Sequence, residues 1–155
     1  MVGRSALGAK NYGKAEQAFR KVLAQKSDYC YAMVNLGKTF IVQQRWADAE
    51  SILKEAASCA PRMAVVHESL GYSVQKQKRL DEAIGHYENA LAIKPSRSVE
   101  QAIATCRTNL EVEQHNSEVA QLEKAQDEAE KQAQRDFDEA QAKVKEWEKK
   151  TERDD

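Results

Sequence analysis

Residues 68–95 read ESLGYSVQKQKRLDEAIGHYENALAIKP, and residues 34–61 read VNLGKTFIVQQRWADAESILKEAASCAP. Offset by 34 residues, Leu36-Gly37 falls on Leu70-Gly71, Ala49 on Ala83, Leu53 on Tyr87, Ala56 on Ala90 and Pro61 on Pro95. A period of roughly 20–50 residues marks an array of like units, each burying its apolar face against the next. Most of what recurs here is small. Each unit also carries two apolar runs at helical spacing, separated by a short polar break. In the second unit Met33, Leu36, Phe40 and Ile41 form one stripe, and Trp46, Ala49, Ile52, Leu53 and Ala56 form the other. The reading is two antiparallel helices per unit. Gly37 and Gly71 then let the first helix approach the second closely. Ala49, Ala56, Ala83 and Ala90 keep the facing side slim, while Pro61 and Pro95 end the second helix.

At these residues the chain resembles the tetratricopeptide repeat family, whose pattern runs W-x2-L-G-x2-Y…A-x3-F…P. The second unit reads Met33-x2-Leu36-Gly37-x2-Phe40, then Ala49-x3-Leu53 and Pro61. The third reads His67-x2-Leu70-Gly71-x2-Val74, then Ala83-x3-Tyr87 and Pro95. Another 34 residues back, Gly3, Ala6, Tyr12, Ala15, Phe19 and Leu23 keep the register, with Ser27 in the proline position. Met1 falls inside the first helix of that unit. His67 takes the tryptophan position and reads as a partly buried packing residue. The resemblance implies an all-α fold, a right-handed superhelix of antiparallel helix pairs followed by a long helix with coiled-coil potential.

The organisation expected is a partial repeat over 1–29, repeats over 30–63 and 64–97, a capping helix over 98–115 and an acidic helical tail over 116–155. Ser96 or Ser98 can cap the start of the covering helix. Val99, Ile103, Cys106 and Leu110 then form one apolar stripe, as a terminal helix with one wet face requires. Residues 117–155 lack Gly and Pro and are rich in Ala, Glu, Gln, Lys and Asp. Asp127–Lys131, Glu139–Lys143 and Glu146–Lys150 sit at the spacing that supports an isolated helix. With no strong breaker at 113–117, continuity with the capping helix is preferred. Phe137, Val144 and Trp147 are large apolar residues on this otherwise charged rod, and they mark a contact for a partner helix or a second copy of the chain.

The formal charge is −1, but its distribution is uneven. Residues 1–97 hold fifteen Lys/Arg against nine Asp/Glu, and residues 98–155 hold nine against sixteen. The two halves therefore suit opposite-charge partners or each other, so a tail folded back over the repeats is one further reading. The basic excess is modest and lacks interleaved stacking aromatics, which argues against nucleic acid. Cys30, Cys59 and Cys106 are odd in number and show neither CxxC nor CxxH spacing. They read as small apolar packing residues in a reducing, cytoplasmic compartment, with cytoskeletal or ciliary association as a variant. No apolar run is long enough to span a membrane, so no membrane partner is expected.

No phosphate-cradling glycine loop, HExxH motif, paired cysteine ligands or nucleophile elbow occurs. His67, His86 and His115 are too dispersed to suggest a site. The expectation is no enzyme, no cofactor and no metal. What remains is binding. The resemblance implies a concave groove lined by the first helix of each pair. Tyr31, Val34, Asn35, Lys38 and Ile41 would face it from the second unit. Val65, Glu68, Ser69, Tyr72, Gln75 and Lys76 would face it from the third, with Val99, Ala102 and Ile103 extending the surface. Aromatic anchors, one ammonium, amides and aliphatic surface suit an extended peptide or a partner helix.

One subclass of the family grips the acidic C-terminal tail of heat-shock chaperones with a two-carboxylate clamp of Lys, Asn and Arg side chains. Asn35 matches its middle position. Val65 and Ser69 stand where the third-repeat Lys and Arg belong, and Arg4 replaces an Asn. Clamp-type chaperone binding is therefore not expected. The function expected is a non-catalytic adaptor or scaffold for another protein or peptide. The alternative is a structural component that self-associates through the C-terminal helix.

Overall fold

The computed structural model describes residues 11–154, with side chains as far as residue 150. Gly3, Arg4 and Ala6 of the expected first unit lie outside these residues. Six helices follow in order: α1 (Tyr12–Gln25), α2 (Cys30–Val42), α3 (Trp46–Cys59), α4 (Ala64–Lys76), α5 (Leu80–Ile93) and α6 (Arg97–Asp154). No strand occurs among the described residues. Helices α2 and α3 pack as one hairpin and α4 and α5 as the next, with α1 against α2 and α3 against α4. The small residues sit at these contacts. Ala49, Ala56 and Ala83 have no exposed surface, and Ala90 is also buried. A Cβ on Gly37 would stand 2.6 Å from Leu53 Cγ, and one on Gly71 would stand 2.7 Å from the Tyr87 ring. Real Cβ atoms do not approach so closely, so each glycine is required by its partner 16 residues along the chain.

The turn inside each hairpin uses the same device twice. At the end of α2, the Gln44 N–H donates to Ile41 O at 3.0 Å and the Arg45 N–H to Phe40 O at 2.9 Å. Thirty-four residues on, Lys78 N–H donates to Gln75 O at 3.0 Å and Arg79 N–H to Val74 O at 3.2 Å. These paired bonds satisfy the last carbonyls of a helix and need a left-handed residue. Gln44 and Lys78 supply it, at φ 59° and 66°.

A charge cluster, also repeated at the 34-residue interval, ties successive hairpins together. Glu16 accepts from Arg20 Nε and from Arg45 Nη1, both at 2.9 Å, and Arg45 reaches Asp48 at 2.6 Å. In the next repeat Glu50 accepts from Lys54 at 2.6 Å, Gln77 at 2.7 Å and Arg79 at 2.8 Å, while Arg79 also pairs with Glu82. Glu50 is buried, its side chain 10% exposed. Burial pushes its carboxyl up, but the bonds from Lys54, Gln77 and Arg79 outweigh that and hold it at about 2.

The array is closed by the start of α6. Ser96 O accepts from the N–H groups of Val99 and Glu100 at 3.1 and 3.0 Å, and the Ser96 and Ser98 hydroxyls lie 2.9 Å apart. Val99, Ile103 and Cys106 are buried with Tyr87 and Ala90, and Leu110 packs at their edge. Burial raises the Cys106 thiol, which is a neutral packing group as expected. The compact repeat unit ends at Leu110, and Glu111 onward forms a second unit. Within that unit Lys131 and Asp127 pair at 2.5 Å and Lys143 and Glu139 at 2.7 Å.

The reading of the cysteines needs one correction. Cys30 and Cys59 are joined as a disulfide, with their Cα atoms 5.8 Å apart. They are the first residue of α2 and the last of α3, so the pairing closes the open end of one hairpin. Antiparallel helices bring those two ends together, a consequence of the hairpin that spacing rules for metal or CxxC motifs do not test. With Cys30 and Cys59 joined, the cysteines do not point to a reducing compartment.

Candidate functional site

Helices α2 and α4, the first of each pair, stand side by side, and the beginning of α6 continues the row. Between them lies an open groove of about 370 Å³. Lys38 and Ile41 of α2, Val65, Glu68, Ser69 and Tyr72 of α4, and Val99 and Ala102 of α6 line it. Its lining is mainly apolar, with an ammonium on one helix and a carboxylate on the next. Among the described residues neither Lys38 nor Glu68 forms an ion pair, so the groove presents one charge of each sign. Tyr72 is 39% exposed at its edge and is braced from two sides. Its ring meets Trp46 edge-on with centroids 6.0 Å apart, and Lys76 Nζ lies 5.2 Å from its centre. An aromatic held this way presents area without losing rotamer freedom on contact.

The sequence-derived groove residues divide into three groups. Lys38, Ile41, Val65, Glu68, Ser69 and Tyr72 line the groove together. Asn35, Gln75 and Lys76 stand beside it but are engaged within the repeat: Asn35 Nδ2 donates to Tyr31 O at 2.7 Å, and Gln75 accepts from the Tyr87 hydroxyl at 2.7 Å. Lys76 lies against Tyr72. Val34 and Tyr31 fall outside the groove lining, in opposite ways. Val34 is core, 4% exposed, and Tyr31 is 62% exposed and tilted against Tyr29. A four-residue step on a helix rotates past a full turn, so neighbours in the motif can leave the face they were assigned.

Two groove residues were missed. Tyr87 reaches the floor from α5, where burial raises its phenol and keeps the hydroxyl protonated as a donor to Gln75. Its signal was present, since a ring replaces Leu53 opposite the repeat's glycine. Ser98 comes from the first turn of α6 and carried no signal beyond its capping role. His67 is partly buried as expected, with Nε2 2.9 Å from Pro61 O.

In the second unit, Phe137, Val144 and Trp147 are 58%, 55% and 67% exposed. Phe137, Ala140 and Val144 share one shallow surface with Gln141, Lys145 and Glu148. Among the described residues, no group of three His, Cys, Asp or Glu gathers as a metal site, and no helix is long and apolar enough to cross a membrane.

Residues 6–68 match the family model for the tetratricopeptide repeat. No curated protein matches the chain. Among solved structures, the first such domain of Spaghetti (RPAP3), determined with the HSP90 peptide SRMEEVD, superposes with a TM-score of 0.68 at 17% identity, covering 70% of this chain and 89% of that one. The Arabidopsis OM64 domain gives 0.68 at 17% identity, covering 70% and 90%. The Sgt2 domain from Aspergillus fumigatus gives 0.69 at 16% identity, covering 73% and 77%. At these identities the likeness concerns the fold.

Proposed function

We propose that this chain, which belongs to the tetratricopeptide repeat family, is a non-catalytic adaptor that holds a peptide or helix of another protein against α2, α4 and the start of α6. The observation that carries the reading is the groove itself, mainly apolar, with a braced Tyr72 and with Lys38 on α2 and Glu68 on α4. A ligand suited to it buries one or two apolar side chains near Ile41, Val65 and Val99. It also offers a carboxylate to Lys38 and a cation or N–H donor to Glu68. The Spaghetti domain and the second domain of human RPAP3 were solved with chaperone peptides ending in EEVD. That supports peptide binding as a use of the fold. The present groove lacks the cations for such an end, because Val65 and Ser69 occupy the positions of the clamp's Lys and Arg.

Selection from a displayed peptide library on the intact chain tests the reading. Enriched peptides should share an apolar anchor, and Val65→Glu and Tyr72→Ala should abolish their binding with helicity unchanged. A library that enriches nothing, or peptides indifferent to both substitutions, would count against it.

The exposed Phe137, Val144 and Trp147 favour a second contact surface on the tail, and with it the alternative of a structural component within a larger assembly. Replacing Phe137 and Trp147 by Gln should leave groove binding intact and remove that contact.

A further inference from the structure

A segment docked in the groove between α2, α4 and α6 has to satisfy its own main chain as well as its side chains. A buried N–H or C=O left without a partner costs more than a typical hydrogen bond contributes. The groove has few partners to offer. Lys38, Ile41, Glu68, Ser69 and Tyr72 lie within helices, so their main-chain groups are bonded along α2 and α4. Among the described residues there is no strand edge for an extended segment to join. The hydroxyls and amides are engaged as well. Ser69 Oγ donates to Val65 O at 2.7 Å, the Tyr87 hydroxyl donates to Gln75 Oε1 at 2.7 Å, and the Ser98 hydroxyl lies 2.9 Å from that of Ser96. Asn35, beside the groove, turns its N–H donor to Tyr31 O at 2.7 Å. Of the polar side chains lining the groove, Lys38, Glu68 and the Tyr72 hydroxyl make no hydrogen bond to any described residue.

We propose that the occupant of this groove is an amphipathic α-helix of another protein, held through its side chains alone, and not an extended peptide. The proposal rests on the reading of the groove as a protein-binding site and names the form of its ligand. A helix arrives with its main chain already bonded, so it needs nothing from walls whose amides and hydroxyls are engaged. An extended segment would set its N–H and C=O groups against a mainly apolar lining, most of them unmatched. Apolar residues at i, i+3, i+4 and i+7 of the ligand form a stripe for Ile41, Val65, Val99 and Ala102. Tyr72, braced by Trp46 and Lys76, offers its ring and hydroxyl at the edge of that stripe. Charge fixes what borders it. Lys38 and Glu68 are partly buried and unpaired, so a carboxylate of the ligand suits the first and a cation the second. The groove thus selects a helix whose apolar stripe is bordered by an acid and a base, and disfavours one whose borders carry a single sign.

Two displayed peptide libraries, each of about 18 residues and presented to the intact chain, read the proposal. One is alanine-based and helix-forming, varied along a single face; the other is held extended by a proline at every third position. The helical library should enrich and the proline library should not. In the tightest binder, a proline placed centrally on the face opposite the stripe should cut affinity by about tenfold or more, and a lactam bridge on that face should raise it several-fold. Both changes leave the protein itself untouched. Lys38→Glu should shift selection from acidic to basic residues at one border of the stripe, and Glu68→Lys should do the reverse at the other, with circular dichroism verifying that helicity is kept. Enrichment of the proline library alone, or a tightest binder indifferent to the central proline, overturns the helical ligand and leaves the adaptor reading standing. Enrichment from neither library overturns both. Selections unmoved by the two charge reversals overturn the pairing assigned to Lys38 and Glu68. Self-association in light scattering that Val65→Glu removes would make the occupant a second copy, and the assignment to another protein would fall.

Discussion

Gly71 lies against the ring of Tyr87 so closely that a methyl group on its Cα would stand 2.7 Å from both Cδ1 and Cε1. An aromatic ring cannot flex out of the way as an aliphatic tip can. Gly71→Ala therefore sets a gain in helix propensity of about 1 kcal/mol against overpacking of about 1–3 kcal/mol, and the second effect wins. The same substitution at Gly85, on α5 with nothing within 4 Å of its missing Cβ, carries the propensity gain without the clash. Gly71→Ala should lower the urea midpoint and Gly85→Ala should raise it. Equal effects at the two sites would break the link between close helix approach and the repeated glycine.

The hairpin turns predict a stabilising change. Gln44 and Lys78 hold positive φ without being glycine, and a side chain there pays for its Cβ in steric contact with the backbone. Gln44→Gly and Lys78→Gly should each add about 0.5–1 kcal/mol, net of the unfolded-state entropy that glycine restores. Neither side chain needs to be kept for the paired backbone bonds to form. Thermal melting of the single and double variants, with additive shifts expected, is the measurement.

Those turns also show where reading the chain by itself succeeds and where it stops. Hairpins, their small contact residues and the covering stripe of Val99, Ile103 and Cys106 were legible because period and residue size are properties of the linear order. The groove was half legible. Lys38, Ile41, Val65, Glu68, Ser69 and Tyr72 converge on it, but Val34 turns into the core, a matter of degrees of helix rotation rather than of motif. Glu16, Arg45, Glu50 and Arg79 obey the same 34-residue interval, yet charged residues on a helix ordinarily read as wet surface. Their value comes from a contact across 29 residues, which only the stacking creates. Cys30 and Cys59, also 29 residues apart, escaped because they meet only when α2 and α3 fold back on each other.

Glu50 makes the stacking sensitive to acid. Its carboxyl is held at about 2, below the ordinary 4.5, so it binds fewer protons in the folded chain than in the unfolded one. Stability from this group is complete above pH 4.5 and is lost as the pH falls from there through about 2. Discounted for the exposure of Lys54 and Arg79, the contribution is about 2 kcal/mol. Glu50→Gln should cost roughly that amount at neutral pH and almost nothing near the bottom of the window. Burial depresses His86 below 6.5 despite Glu82 nearby, so it acts in a higher window, its stability falling as the pH drops below 6.5. Urea midpoints of the Glu50 variant and the parent, taken across both windows, separate the two groups. A constant difference at every pH would remove the charge from the explanation.

Reduction should loosen one hairpin without dissolving the array. The Cys30–Cys59 bond spans 29 positions, and closing a loop of that length constrains the unfolded chain by about 3–4 kcal/mol in the chain-entropy account. Dithiothreitol, or Cys30→Ser/Cys59→Ser, should lower the melting temperature by an amount matching that figure. Helicity at low temperature should persist, because α2 and α3 remain packed through Gly37, Ala49, Leu53 and Ala56. Unchanged melting on reduction would mean the thiols are not joined in solution.

A peptide ending in EEVD provides the sharpest test of what the groove refuses. Its two carboxylates need cations where this chain has Val65 and Ser69, and the Ser69 hydroxyl already donates to Val65 O at 2.7 Å. Asn35, the residue that matches the clamp, has its amide turned to Tyr31 O at 2.7 Å. Charge-assisted bonds are worth about 1.5–3 kcal/mol each, so two missing ones remove at least about a hundredfold in affinity. Fluorescence anisotropy with SRMEEVD should therefore show no binding at concentrations that saturate a clamp-bearing domain. Val65→Lys/Ser69→Arg should create binding that declines with added salt, since the gain is carried by partly exposed ion pairs. Binding by the unaltered chain that Asn35→Ala abolishes would mean the clamp is assembled from other cations and that the chemistry assigned to the groove is wrong.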